Sequence, residues 1–204
     1  MEKKGVFIVF EGIDGSGKTY HLKVISEELR KLGYNIVSTK EPSKSSIGNF
    51  LHQYVRQDRN HLLPETEALL FAADRLEHVK RVIKPTLMKG RIVITDRYFY
   101  SSIAYQGASG VNIDWIKELN QYAPKPDLCF LFDILPDYSL YRTKRKRTKF
   151  EDADYLRKVR NIYNNLVEQE NFIKVDADRT RKIIKAELLS IIINYVCYRS
   201  MNFL

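Results

Sequence analysis

Residues 11–19 read EGIDGSGKT and follow directly on the apolar run VFIVF at 6–10. No other stretch restricts the fold as much. Gly12 to Thr19 matches the pattern G-x-x-x-x-G-K-T, which works where a strand delivers the chain into a loop and a helix carries it away. Gly12, Gly15 and Gly17 let successive backbone N–H groups turn inward around an anion. The start of the helix adds its positive end. Lys18 is then expected to reach the β- and γ-phosphates of a nucleotide, and Thr19 to ligate Mg²⁺ through its hydroxyl. Ile13, Asp14 and Ser16 complete the loop. ATP is expected rather than GTP, because no N-K-x-D tetrapeptide follows anywhere in the chain.

Five short runs read as strands: 6–10, 35–39, 91–95, 128–133 and 172–175. Four are nearly all apolar, as strands buried on both faces of a parallel sheet are. Amphipathic stretches at 18–32, 65–83, 151–169 and 180–196 read as helices between them. Pro64 suits a first helical turn, and Gly33 a stop. The alternation predicts a three-layer α/β sandwich of the P-loop type, with a five-stranded parallel sheet in one domain over 1–204. Ligands on such sheets bind at the carboxyl ends of the strands.

No apolar stretch nears the roughly 20 residues that cross a bilayer. The run at 6–10 ends in Glu11, which fits a strand better than a signal peptide. Cys129 and Cys197 form neither a disulfide framework nor a metal-ligand pair, so a reducing cytoplasm is expected. The net charge of +9 suits nucleic acid or a small polyanionic substrate equally. Much of it lies in RTKRKRTK at 142–149, which holds no acid. That run reads as a solvated basic face or as a lid at about 137–152 that folds over phosphates.

Further polar motifs fall just after strands. RIVITDRY at 91–98 ends in Asp96-Arg97. A carboxylate there can hold Mg²⁺, and an arginine fork can bind a phosphate. Lys40-Glu41-Pro42 follows the second strand. In LLFAADRLEH at 69–78, Phe71 and Arg75 share a helix face and could stack on and bond a base. Tyr98, Ser101, Ser102 and Tyr105 have the spacing of one helix face, which an apolar core stripe would not fill with two serines.

EGIDGSGKT, KEP, LLFAADR, DRYFYSSIAYQG and PKPDLCFLFD stand in the order and spacing of the thymidylate kinases, and over roughly 5–195 the chain resembles that family of P-loop nucleoside-monophosphate kinases. The resemblance implies transfer of the γ-phosphoryl of ATP to dTMP. It implies that Asp14 contacts the sugar 3′-hydroxyl and that Arg97 binds the acceptor phosphate, with Lys40 and Pro42 nearby. Phe71 would stack on thymine and Arg75 would bond a base carbonyl. Ser101, Ser102 and Gln106 would line the base edge, Tyr98 would belong to the same substrate-binding set, and Tyr105 would crowd the 2′ position. Ala177, in Asp176-Ala177-Asp178-Arg179, would lie near adenine, with Arg142 beside it. A homodimer is implied, with no membrane or nucleic-acid partner.

Two departures bear on mechanism. Many members carry arginine where this chain has Lys40, and some carry an arginine at the position of Gly15. The charge that develops on the transferring phosphoryl group must then be met elsewhere, and Arg145 and Arg147 are the candidates. The competing readings are a kinase for another acceptor, such as dUMP or a deoxynucleoside, and a nucleotide-dependent switch or nucleic-acid-binding protein. The basic run lacks the interleaved aromatics that stack on single strands.

Overall fold

The computed structural model describes residues 5–56, 62–142 and 152–201. Five strands form one parallel sheet: β1 (Val6–Glu11), β2 (Ile36–Lys40), β3 (Ile92–Asp96), β4 (Leu128–Asp133) and β5 (Ile173–Asp176). Their order across the sheet is β2-β3-β1-β4-β5. All six residues of β1 are buried, as its central place requires. Phe10 packs edge-on against Phe130, and Phe7 against Tyr98. The register sets Phe10 opposite Asp96, Lys40 opposite Asp96 and Glu11 opposite Leu131. The polar residues that end β1, β2 and β3 therefore meet at one edge.

Helix α1 (Lys18–Lys31) leaves the glycine loop through Gly17, whose φ of 93° is left-handed. Helix α2 (Ser46–Arg56) follows β2 and was not foreseen from the sequence. Helix α3 (Pro64–His78) continues through a π-helical turn at Val79–Ile83 into α4 (Lys84–Met88). The expected helix over 65–83 is therefore longer and re-registered near its end. Pro85 has no N–H for the carbonyl four residues back, and the chain widens before it, with Lys84 N donating to Val79 O.

Helices α5 (Phe99–Ala108), α6 (Ile113–Leu119) and α7 (Pro136–Arg142) follow. The described part of the expected lid, 137–142, lies in α7, and the rest falls almost wholly outside the described residues. Helices α8 (Ala153–Glu170) and α9 (Arg181–Met201) complete the chain. In α8 the apolar stripe buries Leu156, Val159, Tyr163 and Leu166. No described helix is long and apolar enough to cross a membrane.

Candidate active site

The loop between β1 and α1 wraps tightly. Lys18 is buried, and its Nζ donates to Gly12 O and Ile13 O, both at 2.8 Å. Burial and the neighbouring Arg97 push its pKa down to about 8, against the opposing pull of Asp96, Asp14 and Glu11. Gly15 has φ 76°, and a Cβ there would lie 2.6 Å from the carbonyl oxygen of Ser139 on α7. The Ser139 hydroxyl in turn donates to Asp14 O.

Thr19, in the first turn of α1, donates through Oγ1 to Asp96 Oδ2 at 2.5 Å. The other carboxylate oxygen, Asp96 Oδ1, is buried without a hydrogen-bond partner. A hydroxyl and an orphaned carboxylate oxygen beside an anion-binding loop fit a hard divalent cation, which takes few protein oxygens and completes its shell with water and phosphate.

Arg97 follows β3 in a left-handed conformation, φ 73°. Its backbone N–H continues the sheet pattern by donating to Phe10 O at 2.9 Å. Its guanidinium donates to Asp14 Oδ1 at 2.8 Å, Ser101 Oγ at 3.0 Å and Tyr105 Oη at 3.2 Å, and lies 5.0 Å from the centre of the Tyr105 ring. Four candidate residues from two separated stretches, Asp14 on one and Arg97, Ser101 and Tyr105 on the other, are thus joined at the end of β3.

Arg75 is buried, and each of its three guanidinium nitrogens donates to a side chain. It donates to Glu41 Oε2 at 2.7 Å, Asn120 Oδ1 at 2.7 Å and Ser102 Oγ at 3.3 Å. Glu41 also meets His78 Nδ1 at 3.1 Å. Phe71, four residues earlier on α3, is half-buried. Gln106 is buried and approaches Glu67 at 3.5 Å. Tyr98 is buried, and its hydroxyl has no hydrogen-bond partner.

A cleft of about 790 Å³ runs from the glycine loop, with Thr19, past Lys40, Pro42 and Arg97, to Arg142 and Ala177. Arg142 donates to Ala177 O at 3.0 Å and pairs with Asp178. Phe71, Arg75, Tyr98, Ser101, Ser102, Tyr105 and Gln106 lie off this lining; Arg75 and Ser102 are tied to it through Glu41, and Ser101 and Tyr105 through Arg97. His52 and Arg56 of α2 also line the cleft; the sequence reading missed them, although their spacing of four on one helix face was visible. Glu11 and Asn120 were missed as well. Arg145 and Arg147 lie outside the described residues.

A glycine-rich loop at the carboxyl edge of a parallel sheet, with a buried lysine and a Thr–Asp pair, defines a P-loop nucleotide-binding protein. Residues 10–188 match the family model described as thymidylate kinase. The chain is 45% identical over 172 residues to a probable thymidylate kinase of Pyrococcus horikoshii, covering 81% of this chain and 84% of that one. It is 41% identical over 189 residues to one of Pyrobaculum calidifontis, covering 92% and 95%. The chain belongs to the thymidylate kinase family and is an enzyme, a kinase.

Proposed function

We propose that the chain moves the γ-phosphoryl of ATP to the 5′-phosphate of dTMP, giving dTDP and ADP. The observation that carries this reading is Arg97, whose fork stands between Asp14 of the glycine loop and Tyr105 and Ser101 of α5. An acceptor phosphate held there lies next to the donor phosphates held by the loop.

The loop amides and Lys18 bind the β- and γ-phosphates. Arg97 binds the acceptor phosphate, and the exposed Lys40 adds charge nearby. A phosphate oxygen of dTMP attacks the γ-phosphorus, the bond to the β–γ bridging oxygen breaks, and ADP carries that oxygen away. Thr19 and Asp96 would hold Mg²⁺, which neutralises charge on the β- and γ-oxygens when bound. Arg75 is pre-oriented by Glu41 and Asn120 to bond a base carbonyl, with Phe71 stacking above it. Asp14 contacts the sugar 3′-hydroxyl. Ala177 and Arg142 form the adenine side of the cleft. Arg145 and Arg147 are the candidates for meeting transition-state charge.

A homodimer in the cytoplasm belongs to the same reading. Phe50 on α2 and Leu69 and Leu76 on α3 are large apolar side chains left 49%, 48% and 38% exposed, which supports pairing through these helices. Sedimentation velocity tests the dimer. The activity is tested by ADP formation from ATP and Mg²⁺ across dTMP, dUMP, CMP, UMP and thymidine. Turnover that depends on dTMP is expected, and ATP hydrolysis indifferent to every acceptor overturns the reading.

A further inference from the structure

Glu11 closes β1, and none of the roles above uses it. Its side chain is completely buried, among β1, the first turn of α5 and α8. Oε1 accepts the backbone N–H groups of Tyr98 at 2.8 Å and Ser101 at 3.2 Å. Oε2 accepts the hydroxyls of Ser101 at 2.6 Å and Tyr163 at 2.8 Å. A buried carboxylate is expensive unless its lone pairs are met, and here four donors meet them. Burial pushes the Glu11 carboxyl up, while Ser101, Arg97 and Tyr163 pull it down.

The direction of these bonds matters more than their number. A hydroxyl has one proton and two acceptor sites. With its proton committed to Glu11, the Ser101 oxygen has only lone pairs to offer. Arg97 Nη1 donates to that oxygen at 3.0 Å. Arg97 has no acceptor of its own, so a serine proton turned toward it would face a second donor.

We propose that Glu11 is a positioning residue for the acceptor phosphate. It fixes the polarity of the chain Glu11–Ser101–Arg97, so that Ser101 always presents an acceptor and the Arg97 fork stays aimed across the cleft. The inference rests on the reading that Arg97 binds the dTMP phosphate.

Glu11→Gln tests it with almost no change in shape. The two backbone N–H groups cannot reverse, so they hold the amide oxygen. The amide NH₂ then faces Ser101 and Tyr163, whose protons turn away; the two hydroxyls lie 2.9 Å apart, so one can donate to the other, and a serine proton displaced by Tyr163 is driven toward Arg97. Binding of dTMP, of thymidine and of a non-hydrolysable ATP analogue is measured by calorimetry. We expect dTMP affinity to fall at least about tenfold, the scale of a disrupted hydrogen bond to a charged group. Thymidine and the ATP analogue, which do not engage Arg97 through an acceptor phosphate, should bind within about twofold of the parent. A parallel fall for dTMP and thymidine would mean general loosening of α5, and would overturn the inference, as would no change in either.

If Glu11→Gln does not fold, Ser101→Ala decides, because it removes the acceptor offered to Arg97 and leaves the other donors to Glu11. An unchanged ratio of dTMP to thymidine affinity there overturns the inference too. Arg97→Ala, run alongside, separates the two levels. If it lowers that ratio and Glu11→Gln does not, only the role of Glu11 falls. If Arg97→Ala leaves the ratio intact, the phosphate reading of Arg97 falls, and the role of Glu11 with it.

Discussion

Arg97 Nη2 donates to Asp14 Oδ1 at 2.8 Å, joining the end of β3 to the middle of the glycine loop. The pair is open on one side, with the Asp14 side chain 54% exposed and that of Arg97 18%. An exposed carboxylate holds a guanidinium weakly, and a doubly charged phosphate can displace it. Arg97 and Lys18 then divide the labour between acceptor and donor. Arg97→Ala should weaken dTMP binding by about 1.5–3 kcal/mol, the range for hydrogen bonds to charged groups. Lys18→Ala should abolish turnover while sparing dTMP affinity. Calorimetric titration checks both, and equal dTMP affinity in the Arg97 variant and the parent would contradict the assignment.

The backbone of Arg97 gives a second expectation. A left-handed φ of 73° is unfavourable for any residue with a Cβ, by roughly 1–2 kcal/mol. The turn persists because the Arg97 N–H bonds Phe10 O and the Tyr98 N–H bonds Glu11. Arg97→Gly and Arg97→Ala lose the same fork, but glycine relieves the strain. The glycine variant should melt about 2–4 °C above the alanine variant, the shift that ~1 kcal/mol produces in a chain of this size. Identical melting temperatures would show that the turn relaxes without help.

The parts of this structure that announce themselves in sequence are those with local signals. Strands β1 and β4 were found within a residue of their ends, because burial on both faces writes an unbroken apolar run. The glycine loop was legible because its phosphate chemistry needs fixed residues at fixed spacing. Helix α2 was not, since Asn49, His52 and Gln53 break its apolar run and Gly48 argues against a helix. Gly48 is there because a Cβ would come within 2.3 Å of Ser43 O, a tertiary reason. Glu11 bonds Tyr163 across 152 positions, and Arg75 bonds Asn120 across 45. Such buried partners leave no periodicity, so Glu11 stood in the quoted motif without a role.

Tyr105 is buried, its ring under the Arg97 guanidinium and its backbone carbonyl bonded by Tyr155 at 2.6 Å. It was read as the residue that excludes a ribose 2′-hydroxyl. Ring and hydroxyl can be separated. Tyr105→Phe keeps the ring and loses one bond to Arg97, so kcat/KM for dTMP should fall by about tenfold, the low end for a hydrogen bond to a charged group, with the preference over ribothymidine monophosphate intact. Tyr105→Ala opens the space and should erode that preference. An unchanged ratio in the alanine variant would make the ring purely structural.

Asp133 ends β4 and ties α8 to the sheet. Its oxygens accept Arg160 Nε at 2.6 Å and Arg160 Nη2 at 2.8 Å, and Lys174 Nζ lies 3.0 Å away. Burial alone would raise the Asp133 pKa, but Arg160 and Lys174 outweigh it and hold the carboxyl below its ordinary 3.8. A carboxylate with a depressed folded pKa stabilises the protein above its unfolded pKa, and that stabilisation is lost as pH falls through the folded value. Asp133→Asn keeps the shape and removes the charge. At pH 7 it should lower the unfolding free energy by about 1–2 kcal/mol, a charge-assisted pair discounted for its partial exposure. The gap between parent and variant should hold down to about pH 5 and narrow as pH falls below the ordinary 3.8 through the depressed folded value, where the parent carboxylate takes up its proton. Urea unfolding followed by circular dichroism at several pH values measures it. A gap that stays constant to the acid limit would assign the loss to packing around the asparagine rather than to the pair with Arg160.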